Sequence, residues 1–391
     1  MIAVNNFKYS IPTTIYFGKG QICHLGKAVA QYGTHALLVY GGGSIKKNGI
    51  YDAVLEQLRG EKVAVTELSG VEPNPKISSV RQGARLCKEN GVDVVLAVGG
   101  GSAIDCAKVV AAGACYGGDV WDLVTNPGKI GKVLPVITVL TMAATGSEMD
   151  SFAVISNPDT SEKLGTGCDG MKPKVSILDP EYTYSVPKKQ TAAGTADIMS
   201  HIFENYFTNV KTAFVQARFS ESLLKTCIKY GKIAVESPDN YEARANLMWA
   251  SSLAINGLLS DGAEVAWSVH PMEHELSAFY DITHGVGLAI LTPNWMKYVL
   301  NDSTVGKFVE YGVNVWGIDS GSDPFTIANN AIEHTRNYFN SLGLPSTLKE
   351  VGIGEEHLAV MAKNAATHGL ENSFFPLNAD DVLAIYKSSL K

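Results

Sequence analysis

Short apolar runs alternate with helical periodicity along the first half of the chain. "HALLVY" (35–40), "KVAVTEL" (62–68), "VDVVLAV" (92–98) and "PVITVLT" (135–141) are strand-sized and rich in β-branched residues. The third is a near-continuous apolar run, as expected of a parallel strand covered on both faces. Between them, amphipathic patterns predict helices at about Ile50–Leu58, from Lys76 to Asn90 with Gly91 as its stop, and from Ser102 through a stretch of small residues. Strands alternating with helices imply an open, doubly wound, mostly parallel sheet, whose ligands bind at the carboxyl ends of the strands.

The pattern changes after "KVSILDPEYTYSVP" (174–187). Beyond Pro187 the sequence predicts no strand, only helices near 188–207, 212–231, 241–259, 285–299, 324–341 and 355–366. The expected organisation is an α/β N-terminal domain over residues 1–184, followed by an all-helical C-terminal domain over 185–391. A chain of 391 residues exceeds the size at which one core usually stops growing, so two domains are also the expectation from length.

Composition narrows the class. A net charge of −7 without a lysine or arginine run argues against a nucleic-acid partner. No apolar stretch approaches a membrane span. "MIAVNNFKYS" lacks the basic and apolar regions of an export signal, and the six cysteines form no CxxC pair. A cytoplasmic protein with reduced thiols is expected.

Two stretches carry chemistry. "AVGGGSAIDCAK" (97–108) follows a strand and opens a helix, so its glycines let backbone N–H groups and a helix N-terminus approach a pyrophosphate. "GVEPNP" (70–75) and "TMAATGSE" (141–148) end two neighbouring strands, and three such ends make a cleft long enough for a dinucleotide. At the end of the first strand Gly41, Gly42 and Gly43 stand where an acid would hold the ribose 2′-hydroxyl of NAD, and Ser44, Lys46 and Lys47 follow. That favours NADP(H), although solvated surface lysines would read the same way.

The second stretch, "HPMEHELSAFYDITH" (270–284), holds three of the nine histidines. "TADIMSHIFENYF" (195–207) places Asp197 and His201 four apart on one helical face. Pro271 suits a first helical position, which puts His270 at the N-cap, and His284 precedes the Gly-rich start of the next helix. Asp197, His201, His270 and His284 together form a three-imidazole, one-carboxylate set for a divalent ion, with a position left for an oxygen ligand. Such a set serves Fe(II) or Zn(II) equally. His274, four residues after His270, is the candidate proton relay; a structural histidine in a cleft wall is the alternative.

These motifs, in this order and over nearly the full length, resemble the iron-type (group III) alcohol dehydrogenases, in particular the butanol-dehydrogenase-like branch that reduces aldehydes with NADPH. The resemblance implies a dehydroquinate-synthase-like architecture, with Asp197, His201, His270 and His284 as metal ligands and His274 beside metal and nicotinamide. It implies cofactor contacts at Asn74, Gly99, Gly100, Gly101, Ser102, Thr141, Thr145 and Lys163, with Asp105 in the same motif and Gly41 to Ser44 at the adenosine end. It further implies Fe(II), with zinc as the other option, short primary alcohols or aldehydes such as butanol and butanal as substrates, and a homodimer formed through the strand-like "NNFKYSIPTTIYFGKG" (5–20). Phe152, Leu258, Leu259 and Phe279 are the apolar candidates for a substrate slot, and Cys168 reads as a bystander thiol, with oxidation sensitivity as the alternative. The rival readings are an NAD-dependent glycerol dehydrogenase, a dehydroquinate-synthase-like lyase, and a catalytically silent nucleotide or metal sensor.

Overall fold

The computed structural model describes residues 4–391. Its α/β part runs β1 (Thr14–Phe17), α1 (Leu25–Ala30), β2 (His35–Tyr40), α2 (Ser44–Lys47), α3 (Ile50–Gly60), β3 (Ala64–Leu68), α4 (Ile77–Asn90), β4 (Val94–Gly99), α5 (Gly101–Gly113), α6 (Trp121–Thr125), β5 (Val136–Leu140), β6 (Phe152–Asn157), β7 (Glu162–Gly167) and β8 (Val175–Leu178). Helices follow: α7 (Lys188–Tyr206), α8 (Phe214–Glu236), α9 (Tyr241–Ile255), α10 (Val269–Tyr280), α11 (His284–Val299), α12 (Val305–Trp316), α13 (Pro324–Ser341), α14 (Leu358–Ala365) and α15 (Ala379–Ser388). The chain divides into two compact units. One comprises Ser10–Val186 with Pro238–Ser252; the other contains the N-terminal segment through Tyr9, Pro187–Ser237 and Leu253–Lys391.

Six parallel strands in the order β1-β8-β5-β4-β2-β3 form the main sheet. Its centre is explained by the apolar runs, because residues of β2 and β4 alternate between two cores. Leu37, Val39, Val95 and Ala97 pack with Val80 and Ala84 of α4 and Ile104 and Val110 of α5. Ala36, Leu38, Val94, Leu96 and Val98 pack on the other face with Leu25 and Val29 of α1 and Val54 and Leu58 of α3. The antiparallel hairpin β6–β7 was not expected from the sequence. It is tied to the sheet's loops by Ser156 N–H, which donates to the Pro75 carbonyl at 2.9 Å. In the helical unit, α12 and α15 were also unexpected, while the predicted helix 324–341 coincides with α13 and its Asp323 cap.

A buried polar network fastens α5 to the segment after β5. The wholly buried Lys108 ammonium pairs with Asp150 at 2.7 Å and donates to Ser147 Oγ and the Phe152 carbonyl. Asp105 accepts from Ser147 Oγ at 2.6 Å and Val154 N–H at 2.9 Å. Next to it in the chain, Glu148 is fully buried, accepts from Ser252 Oγ through Oε1, and has no hydrogen-bond partner at Oε2 among the described residues. Burial pushes the Glu148 carboxyl up to about 7 and that of Asp105 up to about 6.

A raised carboxyl binds its proton more tightly folded than unfolded. The Glu148 contribution is therefore fully present below its ordinary value of 4.5 and is lost as pH rises through about 7. The variant Glu148→Gln keeps the neutral shape and removes that loss. Urea unfolding at pH 5 and pH 8 should show the variant gaining on the parent by roughly 1–3 kcal/mol at the higher pH. A stability difference between the two that is the same at both pH values would show that Glu148 does not titrate in this range.

Candidate metal centre and dinucleotide cradle

The sequence of α7 is buried almost without interruption from Thr191 to Tyr206, so the polar residues on it must find partners inside the protein. Asp197 and His201 lie one turn apart there, with His201 Nδ1 3.6 Å from Asp197 Oδ1. The Nε2 atom of His284 approaches the same carboxylate oxygen to 3.7 Å. The His270 ring stands between its neighbours, with centroid distances of 4.7 Å to His201 and 5.2 Å to His284. Donor atoms of Asp197, His201 and His270 all lie within 4.8 Å of one another. The four residues expected as ligands are thus brought together around one point in the helical unit.

The donor chemistry fits a divalent cation. His201 Nδ1 and His270 Nε2 are buried and make no hydrogen bond among the described residues. Buried orphan nitrogens are costly, and a shared cation would satisfy both together with the carboxylate. Burial first, and then the neighbouring imidazoles of His270 and His284, hold the His201 pKa well below the usual value, which keeps the ring in its neutral, ligating form.

Two glutamates that sequence reasoning missed orient these rings. Glu204, on α7, accepts from the backbone N–H groups of Ser268, Val269 and His270 at 2.7–2.9 Å, and its Oε1 lies 3.0 Å from His270 Nδ1. The carboxylate therefore caps α10, which starts at Val269 with Ser268 as N-cap. This corrects the expected placement of His270: it sits in the first turn and not at the cap, because Glu204 supplies the acceptor that a cap side chain would have offered. The second, Glu273, is fully buried, pairs with His284 Nδ1, and accepts from Ser277 Oγ at 2.5 Å. In each case the carboxylate engages Nδ1 and leaves Nε2 for the shared point. Their spacing was a legible signal: Glu204 follows His201 by three, and Glu273 follows His270 by three, so each shares a helical face with a ligand.

Close helix approach completes the arrangement. A Cβ on Gly285 would lie 2.0 Å from the Ala193 carbonyl oxygen, so only glycine lets the start of α11, and with it His284, meet α7 this closely. Trp267 packs its ring 4.5 Å from His270 and 5.5 Å from His201. The candidate relay His274 is half-buried beside the cluster, with ring centroids 6.2 Å from His270 and 5.6 Å from His284.

Within the α/β unit, the β4–α5 turn holds Gly99 to Ser102 under the segment that follows β5. A Cβ on Gly101 would meet Thr145 side-chain atoms at 2.4 Å, and Thr141 N–H donates to the Gly99 carbonyl at 3.0 Å. Gly99, Gly100, Gly101, Ser102, Thr141 and Thr145 are therefore neighbours at adjacent strand ends. The loop after β3 joins them from the other side, where Val71 N–H donates to the Tyr40 carbonyl and Gly70 N–H to that of Gly41. Asn74 is buried there with a left-handed φ of 49°. Lys163, buried on β7, pairs across the hairpin with Ser156, the residue bonded to Pro75, which brings it toward the Asn74 loop. Asp105 departs from this set: its carboxylate points into the Ser147–Val154 network and acts as a strut behind the turn. Of the candidate slot residues, Leu259 is core, Phe152 is exposed on the hairpin, and Phe279 packs on His357 at 5.3 Å.

Comparison with known proteins covers both halves of the chain. The profile of the iron-containing alcohol dehydrogenases matches residues 12–180, and that of the Fe-containing alcohol dehydrogenase C-terminal region matches 191–390. The chain belongs to the iron-containing alcohol dehydrogenase family. It is 63% identical to NADH-dependent butanol dehydrogenase A of Clostridium acetobutylicum over 98% of this chain and 99% of that protein. It is 39% identical to the NADPH-dependent aldehyde reductase of Escherichia coli over 94% of each chain. The crystal structure of NADH-dependent butanol dehydrogenase A from Thermotoga maritima superposes with a TM-score of 0.94, covering 100% of both chains at 39% identity. Among the described residues of this family member, no helix is long and apolar enough to cross a membrane.

If Glu204 and Glu273 orient ligand rings, Glu204→Gln and Glu273→Gln should each weaken metal binding by roughly 10- to 100-fold. Competition titration with a chromogenic chelator reads this directly. Unchanged affinity in both variants would leave Glu204 a helix cap and Glu273 a structural partner of Ser277.

Proposed function

We propose that this alcohol dehydrogenase is metal-dependent and interconverts short-chain primary alcohols and aldehydes, butanol and butanal among them, with Asp197, His201, His270 and His284 as the ligands of one divalent ion. The observation that carries this reading is the meeting of Asp197, His201 and His270, with His284 Nε2 3.7 Å from Asp197, and two buried ring nitrogens left unsatisfied among the described residues. Fe(II) is the proposed ion, in keeping with the family, and Zn(II) is the alternative that the same donor set accepts. Bound there, the ion supplies Lewis acidity toward a carbonyl or hydroxyl oxygen, while a nicotinamide supplies or accepts the hydride.

The chain's own residues have separable tasks. Asp197 contributes the one negative charge of the ligand set, and Glu204 and Glu273 fix the tautomers of His270 and His284. His274 is proposed to exchange a proton with the substrate's oxygen, its half-buried imidazole lying next to the ligands without being one of them. On the nucleotide side, the Gly99–Ser102 turn is proposed to receive the pyrophosphate, with Asn74, Thr141, Thr145 and Lys163 as further contacts and Gly41 to Ser44 at the adenosine end. Residues 1–184 and 185–391 are the proposed nucleotide-binding and metal-binding halves. A homodimer joined through the N-terminal strand is the proposed assembly, since β1 forms one edge of the sheet and Phe7 and Tyr9 before it are exposed.

The coenzyme expectation is revised. NADP(H) was favoured because Lys46 and Lys47 follow a glycine turn, but Lys46 is engaged by Glu67 at 3.7 Å. The relatives at 63% and 62% identity are named NADH-dependent, whereas the NADPH-dependent aldehyde reductase of Escherichia coli is at 39%. NAD(H) is the coenzyme we propose.

The test follows coenzyme absorbance with butanal, using protein stripped of metal and reloaded with Fe(II) or Zn(II). Turnover restored by metal and faster with NADH is expected; turnover that survives chelation and dialysis undiminished would end the metal-dependent reading. In the reloaded enzyme, His274→Ala should lower kcat on the order of 100-fold and alter its pH profile while metal content is retained. Full kcat with an unchanged profile would leave His274 a wall residue.

A further inference from the structure

The turn after β2 is followed by a charged claw that neither the metal centre nor the pyrophosphate turn requires. Tyr40 ends β2, and its hydroxyl donates to Glu67 Oε2 at 2.6 Å. Tyr51, in the first turn of α3, donates to Glu67 Oε1 at 2.5 Å. Both carboxylate oxygens are thereby fixed from two directions. Lys46, on α2, places its ammonium 3.7 Å from Glu67 Oε2, 4.4 Å from the centre of the Tyr51 ring and 5.1 Å from that of Tyr40. The two tyrosine rings meet edge to face at 5.9 Å, so the cation rests against both aromatic faces and one carboxylate.

This location is where a doubly wound sheet reads the adenosine ribose. A 2′-phosphate there needs a cation to neutralise it, and Lys46 is the first cation after the Gly41–Gly43 turn. We infer that Glu67 is a coenzyme-selecting residue: anchored by Tyr40 and Tyr51, it holds Lys46 in a closed claw, withholds that charge from a 2′-phosphate, and so tilts the enzyme toward NAD(H). The inference rests on the NAD(H) reading above. It gives the chain a carboxylate at the strand ends although the usual acidic position at the end of β2 is glycine: the group comes from β3, where Glu67 is paired in register with Leu38. The Lys46 and Glu67 side chains are 48% and 38% exposed, so the effect is that of a partly screened pair and not of a buried one.

Glu67 acts through Lys46, and the test must separate that from a general loosening of the turn. Binding of NADH and NADPH to the intact protein, read by nucleotide fluorescence, is measured alongside kcat/KM with butanal. Parent protein should favour NADH. In Glu67→Gln the NADPH-to-NADH ratio should rise about two- to fivefold in both binding and kcat/KM, the size expected of one part-exposed charge pair. Adding Lys46→Ala to that variant should cancel the rise, whereas Lys46→Ala alone should move the ratio less than about twofold, because the charge is already committed. A ratio unchanged in Glu67→Gln, or a rise that survives loss of Lys46, overturns the inference. A loss of NADPH binding in Lys46→Ala alone also overturns it, and that variant leaves the Glu67 anchors in place should Glu67→Gln fold poorly. Parent protein that binds NADPH more tightly than NADH would instead defeat the NAD(H) reading on which the inference stands.

Discussion

Imidazoles do not orient themselves, and in the candidate metal centre the buried carboxylate of Glu204 ties His270 to the start of its helix. One side chain satisfies three backbone N–H groups at the start of α10 and also reaches the Nδ1 of His270. It thereby fixes where α10 begins, which way its first histidine turns, and how α10 is held against α7. Glu273 repeats the device one turn along α10, acting on His284. Two buried carboxylates thus hold the His270 and His284 rings at the candidate site, each through Nδ1. In a helix as fully buried as α7, an acid without such partners would be strongly destabilising, so orientation of the ligands and satisfaction of the buried charge are one solution.

The α/β unit solves a different problem by similar means. Its strand-end turns are built of glycine, and glycine turns are loose. Packing of Thr145 on Gly101 stiffens the turn from above, and the Lys108–Asp150–Ser147–Asp105 network braces it from behind. Asp105 lies in the glycine motif, but its carboxylate serves this brace. The same logic governs the charged claw after β2, where two tyrosines hold a glutamate that in turn pairs with a lysine. In both units the candidate site is positioned by residues one step removed from it.

Much of the fold was written in periodicity. The strands at β2, β4 and β5 are apolar on both faces because helices cover both, and runs of that kind have few alternative readings. Helix α13 was equally legible, since Asp323 and Pro324 mark its start and its side chains keep a clear apolar stripe. By contrast, "VGKFVEYGVNVW" of α12 is rich in valine and glycine, which are weak helix formers, and it is helical because Phe308, Tyr311 and Val315 are buried. The start of α15 had a signal that went unread: Asn378 and Asp381 form a capping box. The β6–β7 hairpin lacks a continuous apolar alternation in its second strand, "EKLGTG", and holds its register by pairing with its partner.

The sequence by itself determined which residue types could do chemistry and how they were spaced: an aspartate and a histidine one turn apart, three histidines within fifteen residues, and glycines at strand ends. Those are local properties, carried by 3.6-residue and 2-residue periods. Only the tertiary structure decided which atoms meet. It placed Glu204 on the backbone of α10, sixty-odd residues away in the chain, turned Asp105 inward, and closed Lys46 onto Glu67. A charge's availability depends on what faces it across space, and no one-dimensional spacing records that. The lysine that the sequence offers equally to a phosphate or to solvent is a paired one because β3 delivers a carboxylate beside it.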